Sequence, residues 1–266
     1  MYQIKNFEEN PNVKITSQLG SFKVLEHQTD LSVTKETAQM EYFASQMNVK
    51  RKQLVCDLNV SDVNLQVGAM QWMIGDVSMN TGIKGAGDLM GKLFRGAVTG
   101  ESAVKPEYSG TGAVVLEPTY KHILLLDTND WGGSFVVEDG MYLASESNLK
   151  QKVILRSTFS SAALGGEGLF NLGFQGSGVV ALESDVPWSE LVEIDLNNDT
   201  LKIDGNLAIA WSTDLKFTVE RASKSLLGSS ATGEGFVNVY QGTGKVLMAP
   251  MISPNRSITT TLKELI

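Results

Sequence analysis

Short apolar runs separated by polar turn residues fill most of this chain. Residues 191–196 alternate apolar and polar positions, as a strand with one buried face does. Turn signals such as Asp139-Gly140 and Asp204-Gly205 separate the runs at spacings of roughly 8–12 residues. This pattern predicts an all-β protein, built as a sandwich or a barrel. The other apolar runs that predict strands are residues 22–25, 53–58, 113–116, 122–126, 134–137 and 179–182.

Helical periodicity is confined to two short stretches. In residues 35–47 the apolar residues Met40, Phe43, Ala44 and Met47 are spaced i, i+3, i+4 and i+7, which places them on one helical face. Residues 88–95 form the second candidate helix, with an aspartate as its N-cap. The sequence therefore predicts few and short helices.

A glycine signature occurs three times. The triplet Gly-Glu-X begins at residues 100, 166 and 233, so the copies are spaced by 66 and 67 residues, and each is followed by a Gly-X-Gly triplet. Such repetition predicts one domain, 1–266, of about three pseudo-symmetric β units near 1–98, 99–164 and 165–266. We expect the glycines to be structural turn residues, with positive φ or a close neighbouring backbone. They are Gly110, Gly112, Gly140, Gly176, Gly178, Gly205, Gly242 and Gly244.

Composition and charge narrow the class of protein. The chain has 42% apolar and 20% charged residues, a globular composition, and a net charge of −8, which disfavours binding of nucleic acid. The basic run at residues 50–52 is interpreted as a solvated strand end. The single cysteine, Cys56, allows no internal disulfide and is expected to be a small buried side chain. With no apolar run of about 18 residues and no signal-peptide pattern at the start, we expect a cytoplasmic protein.

The order of these motifs resembles the AIM24 family. The resemblance rests on Gly68-Ala69-Met70, residues 93–102 and the Gly-X-Gly-X-Val-X-Leu run at 110–116, and it covers about residues 60–250. It implies an all-β fold of the double-stranded β-helix type, related to the subunit of the tryptophan RNA-binding attenuation protein, with three β units in one chain. The eukaryotic relative is linked to organisation of the mitochondrial inner membrane, but the resemblance implies no specific activity. Residues 27–60 depart from the family pattern as an inserted or diverged segment.

Catalytic and ligand-binding motifs are not evident. The two histidines, His27 and His122, do not have the spacing of a cupin metal site. The glycine-rich residues 82–93 lack the spacing of a phosphate-binding P-loop, and residues 195–206 lack the glycine and glutamate of an EF-hand. No nucleophile elbow is present. We therefore predict no catalytic residue, no metal ligand and no cofactor.

A methionine-rich and aromatic stretch is the candidate interaction patch. Met and aromatic residues suit adaptable protein interfaces, although core packing is the alternative interpretation. Lys84, Lys92 and Arg95 lie in the same stretch, so peripheral contact with an anionic membrane is a lesser alternative. The candidate patch comprises Met70, Trp72, Met73, Met90, Leu93 and Phe94.

Three functions are compatible with these observations. The preferred one is a non-enzymatic structural or interaction protein that forms a homo-oligomer and binds an unidentified protein partner. The alternative is a β-barrel that binds a small molecule or a metal, with or without enzymatic activity. RNA binding, by analogy of fold alone, is the third, and the acidic charge disfavours it.

Overall fold

The computed structural model describes residues 2–82, 105–155, 170–221 and 236–251. The first strands are β1 (Val13–Leu19), β2 (Phe22–His27), β3 (Lys52–Asp57), β4 (Val63–Leu65), β5 (Met70–Asn80), β6 (Glu107–Leu116), β7 (His122–Asp127) and β8 (Ser134–Val137). They are followed by β9 (Tyr142–Glu146), β10 (Lys150–Leu155), β11 (Phe170–Gln175), β12 (Val179–Ser184), β13 (Val192–Asp204), β14 (Ala208–Ser212), β15 (Lys216–Arg221) and β16 (Phe236–Met248). Helix α1 spans Ala38–Gln46, and the segments Thr128–Trp131 and Trp188–Glu190 form short 3₁₀ helices. The all-β prediction is confirmed.

The strands form two antiparallel sheets. One has nine strands in the order β1-β2-β3-β6-β4-β9-β12-β7, with β5 added on β6, and it curls into a nearly closed barrel. The other has seven strands in the order β10-β11-β8-β14-β16-β13, with β15 added on β16, and it forms a half-barrel. Among the described strands β1 pairs only with β2, and β7 pairs only with β12, so the barrel has an unpaired seam where β7 lies beside β1.

Every second side chain of β2 and β3 points into the barrel and fills its core. Phe22 and Val24 of β2 and Leu54 and Cys56 of β3 point to the barrel interior, and each is at most 1% exposed. Burying one such large apolar side chain stabilises the fold by about 1.5–3 kcal/mol. Cys56 is a free thiol in this core, as the sequence predicts.

Strand β7 is apolar on both faces because two cores share it. Leu124 and Leu126 pack in the half-barrel core, whereas Ile123 packs in the barrel core and Leu125 packs against it. Burial on both faces explains why residues 123–126 are a continuous apolar run without alternation.

The helix predicted for residues 35–47 is present as α1 over 38–46, but it lies on the surface. No residue of α1 is buried, and Met40, Phe43 and Met47 are 63%, 59% and 78% exposed. The predicted apolar face therefore points to solvent. The second predicted helix, 88–95, lies outside the described residues.

Glycines Gly110 and Gly112 lie inside strand β6, which corrects their interpretation as turn residues. Gly112 is directly opposite Gly75 of β5 and has φ of +147°. A Cβ on Gly112 would collide with the carbonyl oxygen of Ile74 and lie 3.0 Å from the Gly75 Cα. The close approach of two backbones, rather than a change of chain direction, explains this glycine.

Of the remaining predicted turn glycines, two lie inside a strand and four lie in turns or bends. Gly242 and Gly244 lie inside β16, which likewise corrects their interpretation as turn residues, because that strand continues through them alongside β13. Gly140 and Gly205 lie in the turns after β8 and β13, and Gly176 and Gly178 lie in the bend between β11 and β12. All three Gly-Glu triplets of the sequence signature lie outside the described residues.

Candidate functional site

A cleft of about 510 Å³ opens at the seam of the barrel, between the edge strands β1 and β7. This volume lies in the range of small-molecule binding sites. Strands β1, β2 and β3 form one wall and β7 the other, while residues 187–189 stand at the mouth. The lining residues are Thr16, Ser17, Val24, Glu26, Asn48, Lys52, His122, Ile123, Leu124, Leu125, Pro187, Trp188 and Ser189.

A buried ion pair lies on the first wall. Glu26 and Lys52 are directly opposite each other in the β2–β3 register, on the same face as the core residues Val24 and Leu54. They are consequently only 8% and 4% exposed. The Lys52 Nζ lies 3.7 Å from Glu26 Oε2, and the Lys50 Nζ lies 3.6 Å from Glu26 Oε1. Two ammonium groups thus share one carboxylate, and of the two only Lys52 lines the cleft.

The Lys52 ammonium has hydrogen-bonding capacity to spare. An ammonium has three N–H groups. Within the described part of the chain it donates one hydrogen bond, of 3.2 Å, to the Lys50 carbonyl, and its contact with Glu26 is longer than a hydrogen bond. Burial lowers the pKa of Lys52, and the Glu26 carboxylate opposes that shift. A ligand that accepts hydrogen bonds would satisfy the remaining donors.

The basic run at residues 50–52 is therefore not the solvated strand end that the sequence suggested. Lys52 is buried because β3 begins inside the barrel mouth, where Glu26 supplies its counter-charge. Arg51 points the other way and pairs with Asp30 at 2.6 Å. The sequence signal that could have revealed this is the apolar run that follows directly, residues 54–56.

His122 stands on the opposite wall, at the start of β7. Its ring is half-buried, and burial, followed by the nearby positive charge of Lys52, lowers its pKa. Glu26, Glu190 and Asp185 act in the opposite direction. Among the described residues its imidazole has no hydrogen-bond partner. His122 is therefore neutral near pH 7 and able to bond a ligand.

The other histidine is not part of this cleft. His27 follows Glu26 on β2, so its ring points to the other face of the strand, where its Nε2 lies 3.1 Å from Gln53 Oε1. The structure does not bring the two histidines together. No group of three or more His, Cys, Asp or Glu side chains suited to a metal ion occurs in the part of the chain that is described.

The candidate interaction patch is divided by a β-bulge in β5. The register shifts between Met70 and Trp72, so Met70 packs against the barrel core. Trp72 packs on the other face, with its ring 5.2 Å from that of Phe7 in an edge-on contact. Met73 is 45% exposed. Met90, Leu93 and Phe94, like the neighbouring basic residues 84, 92 and 95, lie outside the described residues.

A second buried carboxylate, Glu146 at the end of β9, has a structural role that the sequence did not suggest. Its Oε1 accepts a hydrogen bond of 2.9 Å from the Ser21 N–H, and its Oε2 accepts one of 3.0 Å from the Val179 N–H. A Cβ on Gly178 would lie 2.9 Å from Glu146 Oε2, so this glycine makes room for the carboxylate. Glu146 therefore ties the β1–β2 hairpin to β12.

Helix α1 is too short and too polar to cross a membrane, and it is the one α-helix in the described ranges.

Three comparisons relate the chain to known proteins. The family model described as "Mitochondrial biogenesis AIM24" matches residues 43–251. An uncharacterized protein of Streptococcus pyogenes serotype M6 is 30% identical over 192 residues, which are 69% of this chain and 75% of that protein. The crystal structure of a Streptococcus pyogenes protein superposes with a TM-score of 0.59 at 26% identity, over 83% of this chain and 96% of that one. Strands β1 and β2, which supply part of the cleft, precede the matched residues.

Proposed function

This chain belongs to the AIM24 family, as its glycine motifs predict, and from that premise we propose that it is a non-enzymatic interaction protein that assembles with copies of itself. The observation that supports this most directly is the exposed apolar face of α1. Met40, Tyr42 and Phe43 of α1, and Met47 directly after it, are each more than half exposed. Contiguous apolar surface of this kind on a folded domain marks an interaction site.

The composition of this face favours a second copy as the partner. Met and aromatic side chains are enriched at protein interfaces, and the rings of Tyr42 and Phe43 already contact each other edge-on at 5.4 Å. Residues 35–47 contain one lysine and two glutamates, so two copies of the segment repel each other little. Identical apolar faces are self-complementary across a two-fold axis. The partner of this surface is therefore a second α1, with an unidentified protein as the alternative occupant.

Sedimentation velocity over a range of concentrations tests self-association. We expect the wild type to dimerise and Phe43→Glu and Met47→Glu to weaken the dimer at least about tenfold, because each places an unpaired charge in an apolar contact. Val60→Glu is the matched control, since Val60 is 61% exposed in a turn outside α1, and it should leave the dimer unchanged. Added salt should strengthen association, because it screens the repulsion between two chains of charge −8.

Two results would contradict this proposal. One is a wild-type protein that stays monomeric at high concentration. The other is a Phe43→Glu variant that dimerises as the wild type does.

The finer description of the fold is also a proposal. We propose three copies of an antiparallel strand pair: β5–β6, β9–β12 and β14–β16. In support, each pair has a Gly-X-Gly triplet in or directly before its second strand, and one glycine of the triplet lies against the first strand: Gly112 against Gly75, Gly178 against Glu146 and Gly244 against Ser212. A double-stranded β-helix arrangement related to the attenuation protein, and unit boundaries near residues 98 and 164, stay predictions.

The cellular setting is a prediction as well. A cytoplasmic location fits a chain whose single cysteine is a free, buried thiol. The acidic charge still argues against a nucleic-acid partner, and contact with an anionic membrane surface stays the lesser alternative.

A further inference from the structure

We propose that the seam cleft binds a small organic carboxylate with an apolar body. This inference is independent of self-association, because the cleft uses none of the exposed apolar side chains of α1. Its support comes from the buried charge on one wall, the apolar residues beneath it and the aromatic side chain at its mouth.

The charge on the β2–β3 wall selects an anion. Glu26 shares its carboxylate between Lys50, which lies outside the cleft lining, and Lys52, which lines the cleft, so an excess of positive charge stays on Lys52. Lys52 is 4% exposed, so water does little to screen that excess. A carboxylate only accepts hydrogen bonds, and it therefore matches the donors of Lys52 that the described residues leave unused.

The position of the carboxylate follows from the other charged groups around the cleft. Asp185 and Glu190 lie near His122, and their negative charges disfavour an anion close to that end of β7. The ligand carboxylate is therefore placed beside Lys52. The neutral imidazole of His122 can donate one hydrogen bond from the opposite wall.

The rest of the cleft suits an apolar body. Val24, Ile123 and Leu125 line its interior, and Pro187 and Trp188 stand at its mouth. Trp188 is 52% exposed, although tryptophan is among the most apolar side chains by surface area. A ligand entering between β1 and β7 would cover this ring while its carboxylate reaches Lys52.

Calorimetric titration with three probes of equal chain length tests the selection by charge. Octanoate, 1-octanol and octylammonium share one apolar body and differ in the charge of the head group. We expect octanoate to bind saturably with one site per chain, and at least about tenfold more tightly than the other two, because only its head pairs with Lys52. Equal binding of all three, or no saturable binding of octanoate, would overturn the proposal.

Two substitutions with opposite expected effects separate a binding role from a structural one. Lys52→Met keeps the aliphatic volume and removes the charge, so octanoate should bind at least about tenfold more weakly. Glu26→Gln removes the competing carboxylate, so octanoate should bind more tightly. If both substitutions weaken binding, the ion pair serves the fold alone and the proposal fails.

Two further variants keep this test independent of folding. Lys202→Met removes an exposed ion pair of 3.6 Å with Glu220 on the other sheet, and octanoate affinity should not change. Ser17→Trp fills the cleft while leaving the Glu26–Lys52 pair in place, and it should abolish octanoate binding. Octanoate that still binds to Ser17→Trp at wild-type affinity lies elsewhere, which contradicts the assignment.

Discussion

At the scale of single residues, His122 links the cleft to the pH dependence of stability. Its pKa is lowered in the folded protein by burial and by Lys52, with Glu26, Glu190 and Asp185 opposing the shift. The unfolded chain, where the pKa returns to about 6.5, therefore binds a proton more readily than the folded chain does. Folding stability is retained above that pKa and decreases as the pH falls through it.

We expect the free energy of unfolding to decrease between about pH 7.5 and pH 5.5, and His122→Gln to reduce that decrease. Urea denaturation at several pH values measures it. His27→Gln is the matched control, because it keeps His122 and hence the part of the slope that His122 contributes. Identical slopes for the wild type and His122→Gln would show that His122 is not responsible.

At the scale of elements, the crossing of β5 and β6 shows how two strands use glycine to approach closely. Gly75 and Gly112 face each other, and side chains there would occupy the space of the opposing backbone. The sequence shows three Gly-X-Gly motifs, each next to a strand-like run. A glycine in a turn and a glycine where two strands approach closely look the same in the local sequence. Only the register of the partner strand separates the two.

We expect Gly112→Ala to destabilise the protein by more than about 3 kcal/mol, since it combines a left-handed φ with a backbone collision. Gly140→Ala, in the turn after β8, also has a positive φ, of +74°, but its Cβ would meet nothing within 4 Å. Gly140→Ala should therefore lower the free energy of unfolding by only about 1–2 kcal/mol. Thermal unfolding of both variants provides the comparison, and equal losses would contradict the role of close approach.

For the helix and the strands, too, local sequence patterns predict the position of an element but not what packs against it. Periodicity located α1 to within a few residues, whereas the seven predicted apolar runs coincide with only seven of the sixteen described strands, β2, β3, β6, β7, β8, β12 and β13. Neither signal could show that Met40 and Phe43 would be left exposed, because exposure depends on what the rest of the chain packs against that face. Likewise, the bulge that separates Met70 from Trp72 is set by pairing with β6 rather than by local sequence.

At the scale of the whole molecule, a single carboxylate connects parts of the chain that are far apart in sequence. Glu146 accepts hydrogen bonds from Ser21 and Val179, and so it joins the N-terminal hairpin, β9 and β12 inside the barrel sheet. The cleft is equally non-local, since residues 16–26, 48–52, 122–125 and 187–189 meet only after the barrel curls. Sequence patterns with periods of two to seven residues cannot reveal such a site.

We expect Glu146→Gln to cost about 1–3 kcal/mol, because the new amide places an NH₂ against a buried N–H that has lost its acceptor. Glu193→Gln is the control: Glu193 pairs with Lys245 at 3.0 Å but its side chain is 44% exposed, and the change should cost less than about 1 kcal/mol. Urea denaturation measures both. Equal losses of unfolding free energy for the two variants would mean that the hydrogen bonds of Glu146 contribute no more to stability than an exposed ion pair does.

The burial of Cys56 has a practical consequence. It is the single thiol of the chain, it is fully buried in the barrel core, and burial raises its pKa, so the nucleophilic thiolate is suppressed in the closed state. A thiol-specific reagent can therefore react only with molecules whose nine-stranded sheet has opened. The rate at which such a reagent alkylates Cys56 therefore measures how often the barrel opens. A lower alkylation rate in the presence of octanoate would show that an occupied cleft keeps the sheet closed.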